Sequence, residues 1–229
     1  NANPAIVYSK IFKVGNNKYP IGIFVADANG ANETRVYTNY SNQYTQHVDF
    51  PAWNESGTKL CFTSDFADLY TLNISLFNGV PTGSGATKIA NGIAAGGKYK
   101  QGKWRPGASQ IASVWKKTGE TDKIHILPAS GGAATVLYAA LSADWVIEDD
   151  IAFNTDGSKL VFSERQVSTG QVYLKVFSLV FNTVINSIDM SQFKSIEEID
   201  WGKTAGTNMV VIITVPKCDA TYIGLEGIY

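Results

Sequence analysis

The stretch Trp53-Asn54-Glu55-Ser56-Gly57-Thr58-Lys59-Leu60-Cys61-Phe62 returns further along the chain as Phe153-Asn154-Thr155-Asp156-Gly157-Ser158-Lys159-Leu160-Val161-Phe162. Both copies read aromatic, Asn, two variable residues, Gly, a small hydroxyl residue, Lys, Leu, a variable residue and Phe, without a gap. Trp104-Arg105-Pro106-Gly107, leading into Ile111-Ala112-Ser113-Val114-Trp115, is a third copy. Trp201-Gly202-Lys203, leading through Gly206 into Met209-Val210-Val211-Ile212-Ile213-Thr214, is a looser fourth. The anchor aromatics at 53, 104, 153 and 201 are separated by steps of 51, 49 and 48 residues. A fixed period of this size marks a chain built from repeated supersecondary units.

Each unit reads as short strands joined by turns. The anchor ends one strand, a Gly-containing turn follows, and a second strand alternates apolar residues, as in Leu60/Phe62 and Leu160/Phe162. Third strands are expected at Asp68–Asn73, Lys123–Leu127 and Gln171–Phe177, and fourth strands at Thr34–Tyr37, Ala86–Ile89 and Ala134–Leu137. Asn29-Gly30 and Gly131-Gly132 supply the positive φ that the intervening hairpins need. No segment sustains a helical period. Four strands in each unit of roughly 40–50 residues is the pattern of a β-propeller blade. The expected fold is therefore all-β, a propeller of four-stranded antiparallel blades within one domain. Five blades are visible, at approximately 1–45, 46–95, 96–142, 143–192 and 193–229.

The motif Pro51-Ala52-Trp53-Asn54-Glu55-Ser56-Gly57-Thr58-Lys59-Leu60-Cys61-Phe62-Thr63-Ser64 resembles the blade repeat of TolB-type propellers, and Ile23-Phe24-Val25-Ala26-Asp27-Ala28-Asn29-Gly30 resembles the third strand and turn of that repeat. The resemblance spans nearly the whole chain and is strongest in two blades. It implies a fold more firmly than a function, because such repeats serve translocation proteins, lipoproteins, surface proteins and the non-catalytic domain of some peptidases. A TolB-type ring implies six blades, about 60 residues more at this period. The chain enters on the second strand of its first blade, at Ala5–Ser9, and Thr221–Leu225 reads as the third strand of its fifth. Two readings stay open: five blades that close by pairing the chain ends, or part of a longer protein.

The chain has 229 residues, with 19 basic against 20 acidic side chains and a pI near 6.2. That balance argues against nucleic acid as a partner. No apolar run reaches the roughly 20 residues needed to span a bilayer as a helix. Charged residues are only 17% of the chain, the rest of the polar surface falling to Asn, Ser, Thr, Gly and Tyr, as in an exported protein. Cys61 and Cys218 belong to no metal-ligand spacing and read as buried free thiols.

Propellers bind on their faces and at the mouth of the channel, and the innermost strand carries the anchor. Four residues before the anchors stand Asp49, Lys100, Asp149 and Glu197, with His47 and Asp150 beside them. A mostly acidic ring with one basic sector suits a cationic ligand, a metal ion or a peptide terminus; the alternative is a solvated loop rim. Tyr37, Tyr40 and Tyr44, in a stretch rich in Asn and Gln, form a second candidate surface, for protein or sugar. No Gly-x-Ser-x-Gly elbow, phosphate loop or dinucleotide motif occurs, and His47 and His125 are the chain's two histidines. The sequence therefore reads as a non-catalytic protein-binding or scaffold propeller of the cell envelope or surface, periplasmic, outer-membrane-associated or extracellular. It needs neither cofactor nor resident metal, and its expected partner is a protein, within a membrane-associated complex in one version. A lectin-like carbohydrate-binding propeller and the propeller part of a larger hydrolase are the alternatives.

Overall fold

A computed structural model describes residues 5–14, 17–38, 48–65, 67–202 and 210–216. Among these, every regular element is a strand. The first sheet holds β1 (Ala5–Val14), β2 (Asn17–Asp27) and β3 (Thr34–Tyr37); the second holds β4 (Val48–Trp53), β5 (Lys59–Ser64), β6 (Asp68–Phe77) and β7 (Val80–Ala90). The third comprises β8 (Lys98–Trp104), β9 (Gln110–Lys116), β10 (Lys123–Pro128) and β11 (Thr135–Ala139). The fourth comprises β12 (Trp145–Phe153), β13 (Lys159–Gln166), β14 (Val172–Ser178) and β15 (Thr183–Asp189), and the fifth β16 (Phe193–Trp201) and β17 (Val210–Pro216). Strands follow chain order within every sheet. The sheet count matches the five blades expected from the repeat, and the anchors Trp53, Trp104, Phe153 and Trp201 each end a first strand. The strand expected at Thr221–Leu225 and the thiol of Cys218 lie outside the described residues.

The repeated motif folds the same way in two sheets for a local reason. The Asn54 N–H donates to the Lys59 carbonyl at 2.9 Å and the Gly57 N–H to the Asn54 carbonyl at 3.0 Å; Asn154, Lys159 and Gly157 repeat both bonds at 3.1 Å. The Asn side chain then caps the turn from within, its Oδ1 accepting the Lys59 N–H at 2.8 Å in one copy and the Lys159 N–H at 2.8 Å in the other. Gly57 and Gly157 both sit at φ +67°, a left-handed conformation that costs other residues about 1–2 kcal/mol. At Gly157 a Cβ would also come within 2.5 Å of the Pro106 carbonyl oxygen.

Burial grades across each sheet. Second strands are covered on both faces, so Leu60, Cys61 and Phe62, and likewise Leu160, Val161 and Phe162, are fully buried. Their near-continuous apolar runs are what two-sided burial requires. Fourth strands β7, β11 and β15 are largely exposed.

The chain divides into two compact units: residues 1–104, 109–111 and 127–134 form the first, and 105–108, 112–126 and 135–229 the second. In the first unit Ile23, Val25 and Val36 pack with Val48, Leu60, Phe62 and Leu72. The Trp104 indole Nε1 donates across to the Ala52 carbonyl at 3.1 Å, tying one anchor to the preceding first strand. In the second unit one cluster joins Ala112, Val114 and Ile124 to Ile147, Phe153, Leu160 and Phe162, and another joins Val161, Val172 and Leu174 to Ile196, Ile199, Trp201 and Ile212.

Candidate functional site

The first strands are where the chain departs from regular pairing. In β4, Asp49 pairs with Thr63 and Ala52 with Cys61, so Phe50 and Pro51 together oppose Phe62. In β12, Ile147 pairs with Glu164 and Ile151 with Phe162, leaving Glu148, Asp149 and Asp150 opposite Ser163. In β16, Ile196 pairs with Thr214 and Glu198 with Ile213, and Glu197 is the extra residue. Phe50, at the first break, takes φ 56° and is 37% exposed. Register breaks of this kind re-aim side chains and recur beside binding sites. Three of the four positions set four residues before an anchor thus fall at register breaks of their own sheets. They lie on strands, not in the loop rim.

Their environments differ. In the first unit Asp49 is partly buried and its Oδ1 accepts the Ser9 hydroxyl at 3.1 Å. Lys100 lies in β8 of the same unit, also partly buried. In the second unit Glu197 is exposed, with the Ser195 hydroxyl at 3.4 Å. Asp149 pairs with the Lys116 ammonium at 2.8 Å, and that ammonium also reaches Asp122 at 3.7 Å. Glu148 pairs with the Arg165 guanidinium at 2.9 Å. Asp122, Glu148 and Asp149 therefore surround two cations as one network. Burial pushes the Asp122 carboxyl above its ordinary value, with Asp149 and Glu148 acting in the same direction; Lys116 and the Ile147 N–H oppose them.

Asp150 differs from its expected place at a solvated mouth. It is only 2% exposed, and its two carboxylate oxygens accept the backbone N–H groups of Ile151 at 2.9 Å and Ile199 at 2.8 Å. A carboxylate taken from water needs such donors, and here they lie within β12 and on β16. Asp150 therefore holds neighbouring sheets together. Tyr37 likewise leaves the surface assigned to it. It ends β3, and its ring packs on Phe62 with centroids 4.7 Å apart, because the face of β5 that it meets is apolar. Tyr40, Tyr44 and His47 lie outside the described residues.

Two further carboxylates act as clasps that the sequence reading did not single out. Asp68, first residue of β6, is 2% exposed, accepts the Ile93 N–H at 3.0 Å and pairs with Lys88 at 2.6 Å. Asp122, just before β10, accepts the Ile147 N–H at 3.1 Å. In both cases an acid heading a third strand grips the chain 25 residues on, as it departs for the next sheet. The matching separations were present in the sequence as Asp-x24-Ile, a signal hidden among many carboxylates.

The second unit also encloses a charged triad. Glu164 is fully buried on β13, ion-paired to Lys175 on β14, and its two oxygens accept the Tyr138 hydroxyl at 3.2 and 3.1 Å. The Lys175 ammonium also donates to the Tyr138 oxygen at 3.0 Å and lies 5.5 Å from the Trp145 ring centroid. His125, the described histidine, stacks on Trp115 at 5.8 Å between centroids, and burial lowers its pKa. Among the described residues no group of three His, Cys, Asp or Glu side chains is arranged to hold a metal, and no helix is long and apolar enough to cross a membrane.

No family model matches the chain, and no curated protein matches it. Solved structures do. The Dos1 propeller matches at 14% identity and a TM-score of 0.54, over 90% of this chain and 53% of its own. A putative TolB from Agrobacterium tumefaciens matches at 13% identity and 0.54, over 85% and 66%. An oligogalacturonate lyase in complex with manganese matches at 11% identity and 0.59, over 93% and 60%. These likenesses show a propeller fold shared by enzymes and non-enzymes alike. The chain spans between half and two thirds of the length of these structures.

Proposed function

We propose that this chain is a non-catalytic binding propeller of the cell envelope or surface, holding a protein partner at the strand ends where its first strands break register. The observation that carries the reading is the recurrence of a register break at Asp49, at Glu148–Asp150 and at Glu197, which turns carboxylates of three sheets away from regular pairing. Within the second unit Lys116 and Arg165 answer these acids with two cations, giving a mixed-charge surface. Such a surface suits specificity and association rate, since rim charges act mainly on encounter. The envelope placement rests on the likeness to TolB proteins and on the sparsely charged composition.

The test compares the wild-type chain with the Asp49→Lys/Asp149→Lys/Glu197→Lys variant as baits, with retained proteins quantified by mass spectrometry and each candidate confirmed with purified protein. At least one partner should lose about ten-fold in affinity, the consequence of placing like charges across an interface. If every confirmed partner binds both baits equally, the proposed surface is wrong. Lyase or peptidase turnover by the purified chain, abolished by the same substitutions, would replace the binding reading with a catalytic one.

A further inference from the structure

The opposite ends of these strands carry a second surface. In the first unit the turns after β2, β4 and β6 enclose a groove of about 1150 Å³. Asp49 and Trp53 lie four residues apart on β4, so the groove and the register break are separated by roughly 13 Å of extended chain. Two kinds of group line it. Leu76 and Val80 flank the tip of the β6–β7 hairpin and are 71% and 49% exposed. Asp27, Glu33 and Glu55 contribute carboxylates, and no Lys or Arg lines the groove. Glu33 is held ionised by hydrogen bonds from Lys10 and Tyr8, which keep its pKa below the ordinary value. One polar atom in the lining residues lacks an acceptor: the Trp53 indole N–H is buried and unbonded, whereas Trp104 satisfies the same group on the Ala52 carbonyl at 3.1 Å.

We propose that this groove binds an extended peptide segment of a partner protein in which basic side chains alternate with apolar ones. The three carboxylates select the cationic residues, Leu76 and Val80 cover the apolar ones, and the Trp53 N–H is a donor awaiting a main-chain carbonyl. The site is separate from the register-break surface and does not depend on it.

Fluorescence anisotropy tests this with two blocked, dye-labelled heptapeptides, one alternating lysine with valine and one alternating glutamate with valine. The lysine peptide should bind saturably and weaken about ten-fold between about 50 mM and about 500 mM salt, because exposed charges are screened over a shorter distance. Binding should fall at least five-fold in Glu55→Lys and in Leu76→Ser, both surface substitutions, and by about two- to ten-fold in Trp53→Phe, the range of one hydrogen bond. Asp49→Lys should leave it unchanged. Equal binding of the two peptides, no saturation by the lysine peptide, or unaltered binding in Glu55→Lys and Leu76→Ser overturns the proposal. Loss in Asp49→Lys with no effect of the groove substitutions moves the binding to the register breaks, overturning this site while supporting the other.

Discussion

The triad of Glu164, Lys175 and Tyr138 permits a quantitative test of how this core tolerates charge. Lys175→Met removes the ammonium and leaves a fully buried carboxylate with the Tyr138 hydroxyl as its remaining donor within the triad. Stranding one partner of a buried pair costs about 3–5 kcal/mol. The retained phenol places the expected loss near the lower end, about 3 kcal/mol. For a chain of this size that lowers the midpoint of thermal unfolding by roughly 6–12 °C. Glu164→Gln should cost less, about 1–2 kcal/mol, since the Lys175 side chain keeps 18% exposure and reaches some water. The double variant should be less destabilised than the two singles added together, with a coupling of about 2 kcal/mol. Urea unfolding of all four proteins at neutral pH measures this. The pH dependence has a definite sign. Burial lowers the Lys175 pKa, but the hydrogen bonds to Glu164 and Tyr138 outweigh it and hold the folded value above 10.5. Stability from a raised lysine is complete below its unfolded value and is lost as pH climbs through the folded one. The gap between wild type and Lys175→Met should therefore be constant across neutral pH and shrink above about 10.5. A loss below about 1 kcal/mol in Lys175→Met, or strict additivity in the cycle, would refute the assignment of the triad as a coupled buried pair.

The turn glycines should rank by their surroundings. Gly157→Ala meets both a left-handed φ and the Pro106 carbonyl, and should destabilise by more than Gly107→Ala, which shares the φ of +67° but has open space around it; chemical denaturation orders them, and equal costs contradict the account. Asn154→Ala deletes the acceptor that closes its turn and should cost about 1 kcal/mol in the same assay, with no comparable loss in Thr155→Ala. The Cys61 thiol is fully buried, its pKa pushed up to about 12 by burial, so in a Cys218→Ser background it should resist a disulfide-exchange reagent near pH 8 until the protein is unfolded. Rapid labelling of the native protein would show that second-strand burial is incomplete.

The turn motif was fully legible in the sequence. Aromatic-Asn-x-x-Gly-x-Lys is a chain of local hydrogen bonds, and local bonds leave residues at fixed spacing. The same holds for the alternation of Leu60 and Phe62, whose burial follows from period two. Asp150 was not legible. Its neighbours Glu148 and Asp149 are as acidic, and only the arrival of the Ile199 N–H from another sheet decides which carboxylate is consumed. Tyr37 misled for a related reason: its polar neighbours in sequence describe a loop, while its neighbour in space is Phe62. The groove at Trp53 joins turns from two repeats, so no contiguous stretch encodes it.

The acid clasps bear on how such a chain can change over time. Asp68 and Asp122 each close a loop of the same length around a whole hairpin, β6–β7 in one unit and β10–β11 in the other. Residues added at a hairpin tip lie beyond the clasp and are extruded into solvent, leaving the hand-over to the next sheet where it was. The tips can thus lengthen, shorten or exchange their sequence while the joint at their base keeps its geometry. In the first unit the tip so released is the Leu76–Val80 wall of the groove. A recognition surface mounted on it can diversify, or be grafted by design, with little penalty to the blades that carry it.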